Sequence, residues 1–238
     1  MRIGLLGYGK MGRVIEELAR ERGHEIAWTA DRDNRSALDA EKLRSADVVI
    51  EFSTPDAALE NIRFCAENKV PVVVGTTGWY ARFGEIKELI QQEGSALFYA
   101  TNFSIGVNIF WQMNRILSGI MNEHRQYSPL LEEIHHVHKL DEPSGTGITT
   151  AEGIIAEHDS YTQWALGGQQ AAGILPVVSL REGEVPGTHR VTWTSPEDRI
   201  VLEHEAFGRK GFATGAILAA EWLAGKKGVY TMTDLLNG

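Results

Sequence analysis

The densest group of side chains able to do chemistry is Glu132-Glu133-Ile134-His135-His136-Val137-His138-Lys139, followed by Ser144-Gly145-Thr146-Gly147. An imidazole has an unperturbed pKa of about 6.5, so His135 suits proton transfer near neutral pH. Lys139 can pair with a carboxylate without any shift of its own. Read as a strand over 131–139, the segment puts His135 and Lys139 on one face and His136 and His138 on the other. A straight strand separates the Cα atoms of His135 and Lys139 by about 13 Å, so they bracket one small ligand rather than bonding to each other. A helix read over 148–158 presents the backbone N–H groups of Gly145 and Thr146 to an anion at its N-terminus. Together these features predict a site for a compact dianion. His136 and His138 offer a pair of metal ligands, but the spacing fixes no third, and no metal is expected. His138 reads as a partly solvated residue of a polar strand.

A second group opens the chain. The apolar run Arg2-Ile3-Gly4-Leu5-Leu6 passes into Gly7-Tyr8-Gly9-Lys10-Met11-Gly12 and then into a helix beginning near Met11, the strand-to-helix setting that a G-x-G-x-x-G turn requires. Gly7 permits the tight turn, Gly9 lets the backbone approach a pyrophosphate, and Gly12 lets helix and strand pack closely. Asp31 follows a second strand, 19 residues after Gly12, where a carboxylate accepts hydrogen bonds from an adenosine ribose. Arg32 and Lys10 are placed to hold a 2′-phosphate, so the turn is compatible with NADPH or NADH. Small hydroxylated residues recur after the next strands, in FSTP (52–55) and GTTG (75–78), where a doubly wound sheet binds its ligand.

The elements that must position these groups follow from periodicity. Short apolar runs alternate with amphipathic stretches from Arg2 to Phe98, which predicts an α/β fold with a parallel sheet covered on both faces. Val107, Phe110, Met113, Ile116, Leu117 and Ile120 carry the apolar spacing of a long helix over 106–124. LLEEIHHVHK, LPVVSLRE, THRVTWTS and RIVLEHEAF then read as strands, the last three separated by turn formers at 184–187 and 195–198. The tail from Arg209 returns to helix, continues into GVYTMTDLL, and is expected to pack on the first domain. These changes predict a dinucleotide-binding Rossmann domain over 1–105 with 209–238, and an α+β domain with a mixed open sheet over 106–208. Hinges are expected around 102–106 and 206–210, with a cleft between the domains as the natural active site.

Composition narrows the function classes. The net charge of −9 argues against a general nucleic-acid binder, whose affinity rests on clustered Lys and Arg. Lys10, Arg13, Arg32, Arg35 and Lys139 stand beside the candidate motifs, where an acidic protein needs positive charge to hold an anionic ligand; Arg13 and Arg35 are read as solvated surface groups. Cys65 is the single cysteine and forms no internal disulfide. The apolar stretch at the N-terminus is too short for a signal peptide, and no run approaches the roughly 20 apolar residues of a membrane span. A cytoplasmic protein is expected.

The segments GYGKMG, VVVGTTGW, ATNFSIGVN, HHVHKLDEPSGT and FATGAILAAEWLAGKKGVYTMTDLL, in this order over nearly the whole chain, resemble the dihydrodipicolinate reductase family, the 4-hydroxy-tetrahydrodipicolinate reductases of bacterial lysine and diaminopimelate synthesis. The resemblance implies hydride transfer from NADH or NADPH to ring carbon C4 of the unsaturated skeleton left after loss of water. It implies His135 as general acid, Lys139 as proton donor or carboxylate ligand, and His136, Gly145 and Thr146 as substrate ligands. It also implies Gly75, Thr76 and Thr77, and Ala100, Thr101, Asn102 and Phe103, around the nicotinamide half of the cofactor. Members of the family are homotetramers built through the sheet of the second domain, so VTWTS and IVLEHEA are expected at an interface. The glycine loop is one residue shorter than the commoner family form, Lys10 replaces the usual arginine, and the 31–47 link is abbreviated, all of which bear on cofactor preference. The competing readings are another Rossmann dehydrogenase, acting on an amino acid or an aldehyde, and a nucleotide sensor without turnover. The first has no use for HHVHK followed by SGTG, and the second predicts that His135→Ala leaves function intact.

Overall fold

The structure is a computed structural model describing residues 1–169 and 171–238. It divides into two units, Met1–Ile105 with Arg209–Gly238, and Gly106–Gly208. The chain runs β1 (Arg2–Leu6), α1 (Lys10–Glu21), β2 (Glu25–Ala30), α2 (Ala40–Arg44), β3 (Val48–Glu51), α3 (Pro55–Glu67), β4 (Val72–Val74), α4 (Phe83–Glu93) and β5 (Ala96–Tyr99). It continues through α5 (Ile105–Asn122), β6 (Ser128–His135), α6 (Gly145–Glu157), β7 (Tyr161–Leu166), β8 (Gly173–Arg181), β9 (Thr188–Thr194) and β10 (Arg199–Glu205). It returns with α7 (Lys210–Leu223), β11 (Gly228–Tyr230) and α8 (Met232–Asn237).

In the first unit six strands form one parallel sheet in the order β11-β5-β4-β3-β1-β2. Side chains alternate across a strand, and here both faces are covered, so Leu5 and Leu6, Val48 to Ile50 and Val72 to Val74 form continuous apolar runs. Ile3, Leu5, Val48, Ile50, Val73 and Phe98 pack with Ile15 and Ala19 of α1 and with Ala213, Ala216, Ile217 and Ala220 of α7. Leu6, Val49, Val72, Val74 and Leu97 face the other way, onto Ala58 and Ile62 of α3 and Ile86 and Ile90 of α4. Each fully buried Val, Leu or Ile contributes roughly 1.5–3 kcal/mol of apolar transfer energy. The C-terminal tail completes this unit by supplying a covering helix and an edge strand.

The second unit holds a five-stranded sheet in the order β10-β9-β6-β8-β7. The β6·β8 and β7·β8 pairs are parallel, and β6·β9 and β9·β10 are antiparallel. YTQWAL, which carries no clear alternation, forms β7, an element the periodicity leaves unread. Leu131, Val177, Val191 and Trp193 pack one face of the sheet against Phe110 and Met121 of α5 and Ala151 and Ile154 of α6.

Three sequence expectations for this unit are corrected. Of the residues expected on the inner face of the long helix, Val107 and Phe110 are buried and Leu117 half-buried, whereas Met113, Ile116 and Ile120 are exposed, Ile116 at 57%. Asn114 and Ser118 are buried instead. The Asn114 amide donates to the Thr150 carbonyl at 3.0 Å and the Ser118 hydroxyl to the Asn114 carbonyl at 2.6 Å. A polar seam with α6 therefore sets the rotation of α5, and its strongest apolar stripe is turned outward. The strand expected over 131–139 starts earlier and stops at His135, and the helix expected over 148–158 starts at Gly145.

Candidate active site

The candidate nucleotide site lies at the C-terminal ends of β1, β2 and β3, where the strand order reverses and a doubly wound sheet opens a crevice. Gly7 turns with φ +91°, and a Cβ there would stand 2.0 Å from the Phe52 carbonyl oxygen. A Cβ on Gly12 would stand 2.3 Å from the Gly7 carbonyl oxygen, whereas one on Gly9 would meet nothing within 4 Å. Thus Gly7 and Gly12 are required by the fold, and Gly9 leaves room on the ligand side. Gly9 is also the N-cap of α1 and provides no side-chain cap. The first-turn amides of Lys10, Met11 and Gly12 are left to an anion at the positive end of a 12-residue helix.

A cavity of about 430 Å³ here is lined by Gly7, Gly9, Asp31, Arg32, Arg35 and Ser53, among others. These residues fit a dinucleotide: a glycine turn with space beside it, a helix N-terminus, a carboxylate and two guanidinium groups. Asp31 receives the Asp33 amide at 3.0 Å, and its own amide donates to Asn34 Oδ1 at 2.8 Å. The side chain of Arg32 is 97% exposed, with Asp33 at 3.8 Å. Arg35 is not the solvated group expected. Its Nε donates to Asn61 Oδ1 at 2.9 Å, and its guanidinium lies 4.7 Å over the Phe64 ring. Arg13 is exposed, as expected, with its guanidinium 4.8 Å over the Tyr8 ring.

Behind this wall Glu51, the last residue of β3, is fully buried. Burial raises its carboxyl above the usual carboxylate range, against hydrogen bonds from Ser53, Thr76 and Asn61. The Ser53 amide also donates to Thr76 Oγ1 at 2.8 Å, which ties the loop after β3 to the one after β4. Gly75, Thr76 and Thr77 follow β4, and Ala100, Thr101, Asn102 and Phe103 follow the neighbouring β5. The Phe103 ring lies 5.7 Å from that of Phe52 and 5.8 Å from that of Phe98. Asn102 Oδ1 receives the Ser104 amide at 2.8 Å. Part of this last stretch is therefore structural.

In the second unit the polar site grows out of the end of β6. Glu133 and His135 share with Leu131 the face that packs on α6, so the strand passes from an apolar to a titratable lining as it reaches its end. After His135 the chain turns. The Lys139 amide donates to the His136 carbonyl at 3.1 Å, which replaces the extended geometry inferred from the sequence. Lys139 Nζ lies 2.7 Å from Asp141 Oδ1. Arg181 of β8 holds this loop through the Asp141 carbonyl at 2.6 Å. His138 pairs with Glu184 at 3.1 Å on the surface, and the His136 ring lies 6.0 Å from it.

Gly145 and Thr146 open the 13-residue helix α6, so the amides expected ahead of the helix belong to its first turn. Ser144 caps it by receiving the Gly147 amide at 3.0 Å. The same hydroxyl donates to Glu133 and lies 3.1 Å from His189 Nε2.

Four contributors to this site were given no role from the sequence: Glu133, Ser179, Arg181 and His189. Glu133 sits two residues before His135 on the same strand face, a usable signal. The others lie on β8 and β9, far along the chain. Burial opposes ionisation of Glu133, yet hydrogen bonds from His189, Ser144 and Ser179 outweigh it and hold the carboxyl well below its usual range. Burial depresses His135 to about 4, opposed by Glu133 and reinforced by His189, Lys139 and Arg181. Ligand atoms of Glu133, His135 and His189 all fall within 4.8 Å of one another, a spacing a metal could use. The carboxylate is already taken up by two serine hydroxyls and a backbone amide, with Arg181 at 3.6 Å, which favours a proton-handling network.

No helix among the described residues is long and apolar enough to cross a membrane. The family model for the N-terminus of dihydrodipicolinate reductase matches residues 1–103, and that for its C-terminus matches residues 106–236. A 4-hydroxy-tetrahydrodipicolinate reductase of Christiangramia forsetii is 45% identical across 100% of this chain and 98% of its own length. The dipicolinate-bound dihydrodipicolinate reductase of Paenisporosarcina sp. TG-14 superposes with a TM-score of 0.81 at 22% identity, covering 97% of each chain. An amine dehydrogenase of Mycobacterium smegmatis shares the fold at a TM-score of 0.63 and 13% identity, over 98% of this chain and 95% of that one. Matched over both of its units by the family's two models, and along its full length by a named reductase, this chain belongs to the dihydrodipicolinate reductase family.

Proposed function

We propose that the protein reduces 4-hydroxy-tetrahydrodipicolinate to tetrahydrodipicolinate with NADH or NADPH, in lysine and diaminopimelate synthesis. The observation that carries this reading is the convergence at the end of β6: a buried His135, the Lys139 ammonium and the first turn of α6 all lie within one short stretch of chain. The reaction consumes one hydride and one proton and releases water. The nicotinamide supplies the hydride, to ring carbon C4. Gly7, Gly9, Lys10, Met11, Gly12, Asp31 and Arg32 hold the adenosine and pyrophosphate half of the cofactor. Gly75 to Thr77 and Ala100 to Phe103 border its nicotinamide half.

His135 supplies the proton taken up by the conjugated ring, while Lys139, His136 and the Gly145 and Thr146 amides hold the two carboxylates. Burial keeps His135 neutral at pH 7, so the donor must be charged by its ligand. A bound dianion offsets Lys139 and Arg181 and raises His135 toward its ordinary range. The active form is proposed to be a cytoplasmic homotetramer joined through the sheet of the second unit. Leu180 and Val201 are exposed on that sheet, as are Met113, Ile116 and Ile120 on α5, and apolar exposure of this extent fits a second copy.

The deciding experiment follows NADPH and NADH oxidation with substrate made freshly from pyruvate and aspartate semialdehyde by the preceding synthase. Substrate-dependent loss of nicotinamide absorbance is expected. Its absence in folded, nucleotide-binding protein would reject the assignment.

A further inference from the structure

We propose that Glu133 is a positioning residue of the reaction, whose buried carboxylate orients His135 and stabilises its imidazolium while fixing the first turn of α6. The inference rests on His135 being the proton donor.

Glu133 is 0% exposed, and an ionised carboxylate removed from water persists only when hydrogen-bonded on both oxygens. Oε1 receives the Ser144 amide at 2.9 Å and the Ser179 hydroxyl at 2.6 Å. Oε2 receives the Ser144 hydroxyl and stands 3.5 Å from His189 Nε2. His135 Nδ1 is buried without a hydrogen-bond partner, and the acceptor facing it is Glu133 Oε1 at 3.8 Å. A closure of about 1 Å makes that contact a hydrogen bond. Such a bond fixes the proton on Nδ1 and leaves Nε2 to exchange a proton with a ligand.

The other charged or titratable groups around His135 work against its protonation. His189 on β9 has its ring 5.1 Å away, Arg181 enters from β8, and Lys139 comes from the following turn, itself paired with Asp141. Glu133 supplies the opposing negative charge from the strand that carries His135. It also sets the space at the anion end of α6, since a Cβ on Gly147 would stand 2.5 Å from Glu133 Oε2. One carboxylate thereby couples the proton donor to the turn proposed to hold a substrate carboxylate.

The test is Glu133→Gln, which keeps the size and one acceptor oxygen, turns the other oxygen into an NH2 donor and removes the charge. In kcat against pH, the limb on which activity falls as the donor loses its proton should move about one unit lower, and kcat above that limb should fall about tenfold. KM for the nicotinamide cofactor should stay within about twofold. In a His135→Gln background the same change should cost less than about twofold, because its route of action is gone. Titration of the His135 ring by NMR should show the same downward move in the protein without cofactor.

A loss of activity that follows the loss of melting temperature, with the limb and the ring titration unmoved, would make Glu133 a structural residue only. If Glu133→Gln does not fold, Glu133→Asp decides: it retains the charge at greater distance and should move the ring titration down by a fraction of a unit, and no move overturns the proposal. If His135→Gln alone leaves kcat intact, the proton-donor reading fails. If it lowers kcat while the limb of Glu133→Gln stays in place, only the present inference fails.

Discussion

The ammonium of Lys139 lies 2.7 Å from the carboxylate of Asp141, two residues along the same turn. In the proposed role of Lys139, a substrate carboxylate competes with this internal partner. The pair is partly exposed, so the bond itself adds little to stability, and its consequence lies in binding. Asp141→Asn is expected to tighten dipicolinate inhibition several-fold with kcat nearly unchanged, whereas Lys139→Ala should weaken it by about tenfold or more. Inhibition constants for the two variants, measured side by side, check this, and equal effects in one direction would remove Lys139 from the carboxylate site.

His135→Gln should depress kcat by roughly 10²-fold, the usual contribution of a positioned acid, with little change in cofactor KM. Since burial holds His135 near 4 in the free protein, binding of a dianion at pH 7 should be accompanied by proton uptake. Calorimetry of dipicolinate binding in buffers of different ionisation enthalpy measures it directly. No uptake in the wild type would mean that His135 remains neutral in the complex.

Stability should fall on acidification in two stages. His135 is lowered from 6.5 to about 4, so the unfolded chain binds its proton first, and the associated stability is lost as pH falls through that interval. A shift of this size corresponds to roughly 3 kcal/mol. Glu133 is also held low, so its contribution is present above its unfolded value near 4.5 and is lost as pH falls further. Melting temperatures from pH 7.5 to 4 should decline in the wild type and less steeply in His135→Gln. A flat profile over this range would contradict the His135 assignment, and a further decline below pH 4 tests that of Glu133.

Two guanidinium groups line the nucleotide cavity, and their settings differ. Arg32 is exposed, with Asp33 at 3.8 Å, while Arg35 is held by Asn61 and stacked on Phe64. If Arg32 reads a 2′-phosphate, Arg32→Ala should raise KM for NADPH by about tenfold and leave KM for NADH within about twofold. Steady-state kinetics with both nucleotides decide, and parallel changes would assign Arg32 no part in the choice.

The open face of the second sheet should support assembly. Val201 on edge strand β10 is exposed beside Thr192, its partner on β9. Val201→Glu is expected to reduce the mass seen by light scattering from that of a tetramer to that of a smaller species, with the monomer still folded. An unchanged mass would place the interface elsewhere.

The sequence by itself determined the parallel sheet, the glycine turn with Asp31 behind it, and the short stretch that carries His135, Lys139 and Gly145. Those features depend on short-range rules: alternating burial, the backbone space that Gly7 and Gly12 leave, and the succession of strand, turn and helix. It also marked the return of the tail to the first unit, because a helix rich in Ala, Leu and Ile needs a sheet to cover. Only the tertiary structure decided which face of α5 is buried, since the amide of Asn114 finds the Thr150 carbonyl across a helix seam that periodicity does not register. It alone ended β6 at His135, through a turn held from β8 by Arg181. It also brought Ser179, Arg181 and His189 to Glu133. A buried carboxylate must be satisfied by whatever donors the neighbouring strands present, and strand order, which no local pattern encodes, chooses those neighbours.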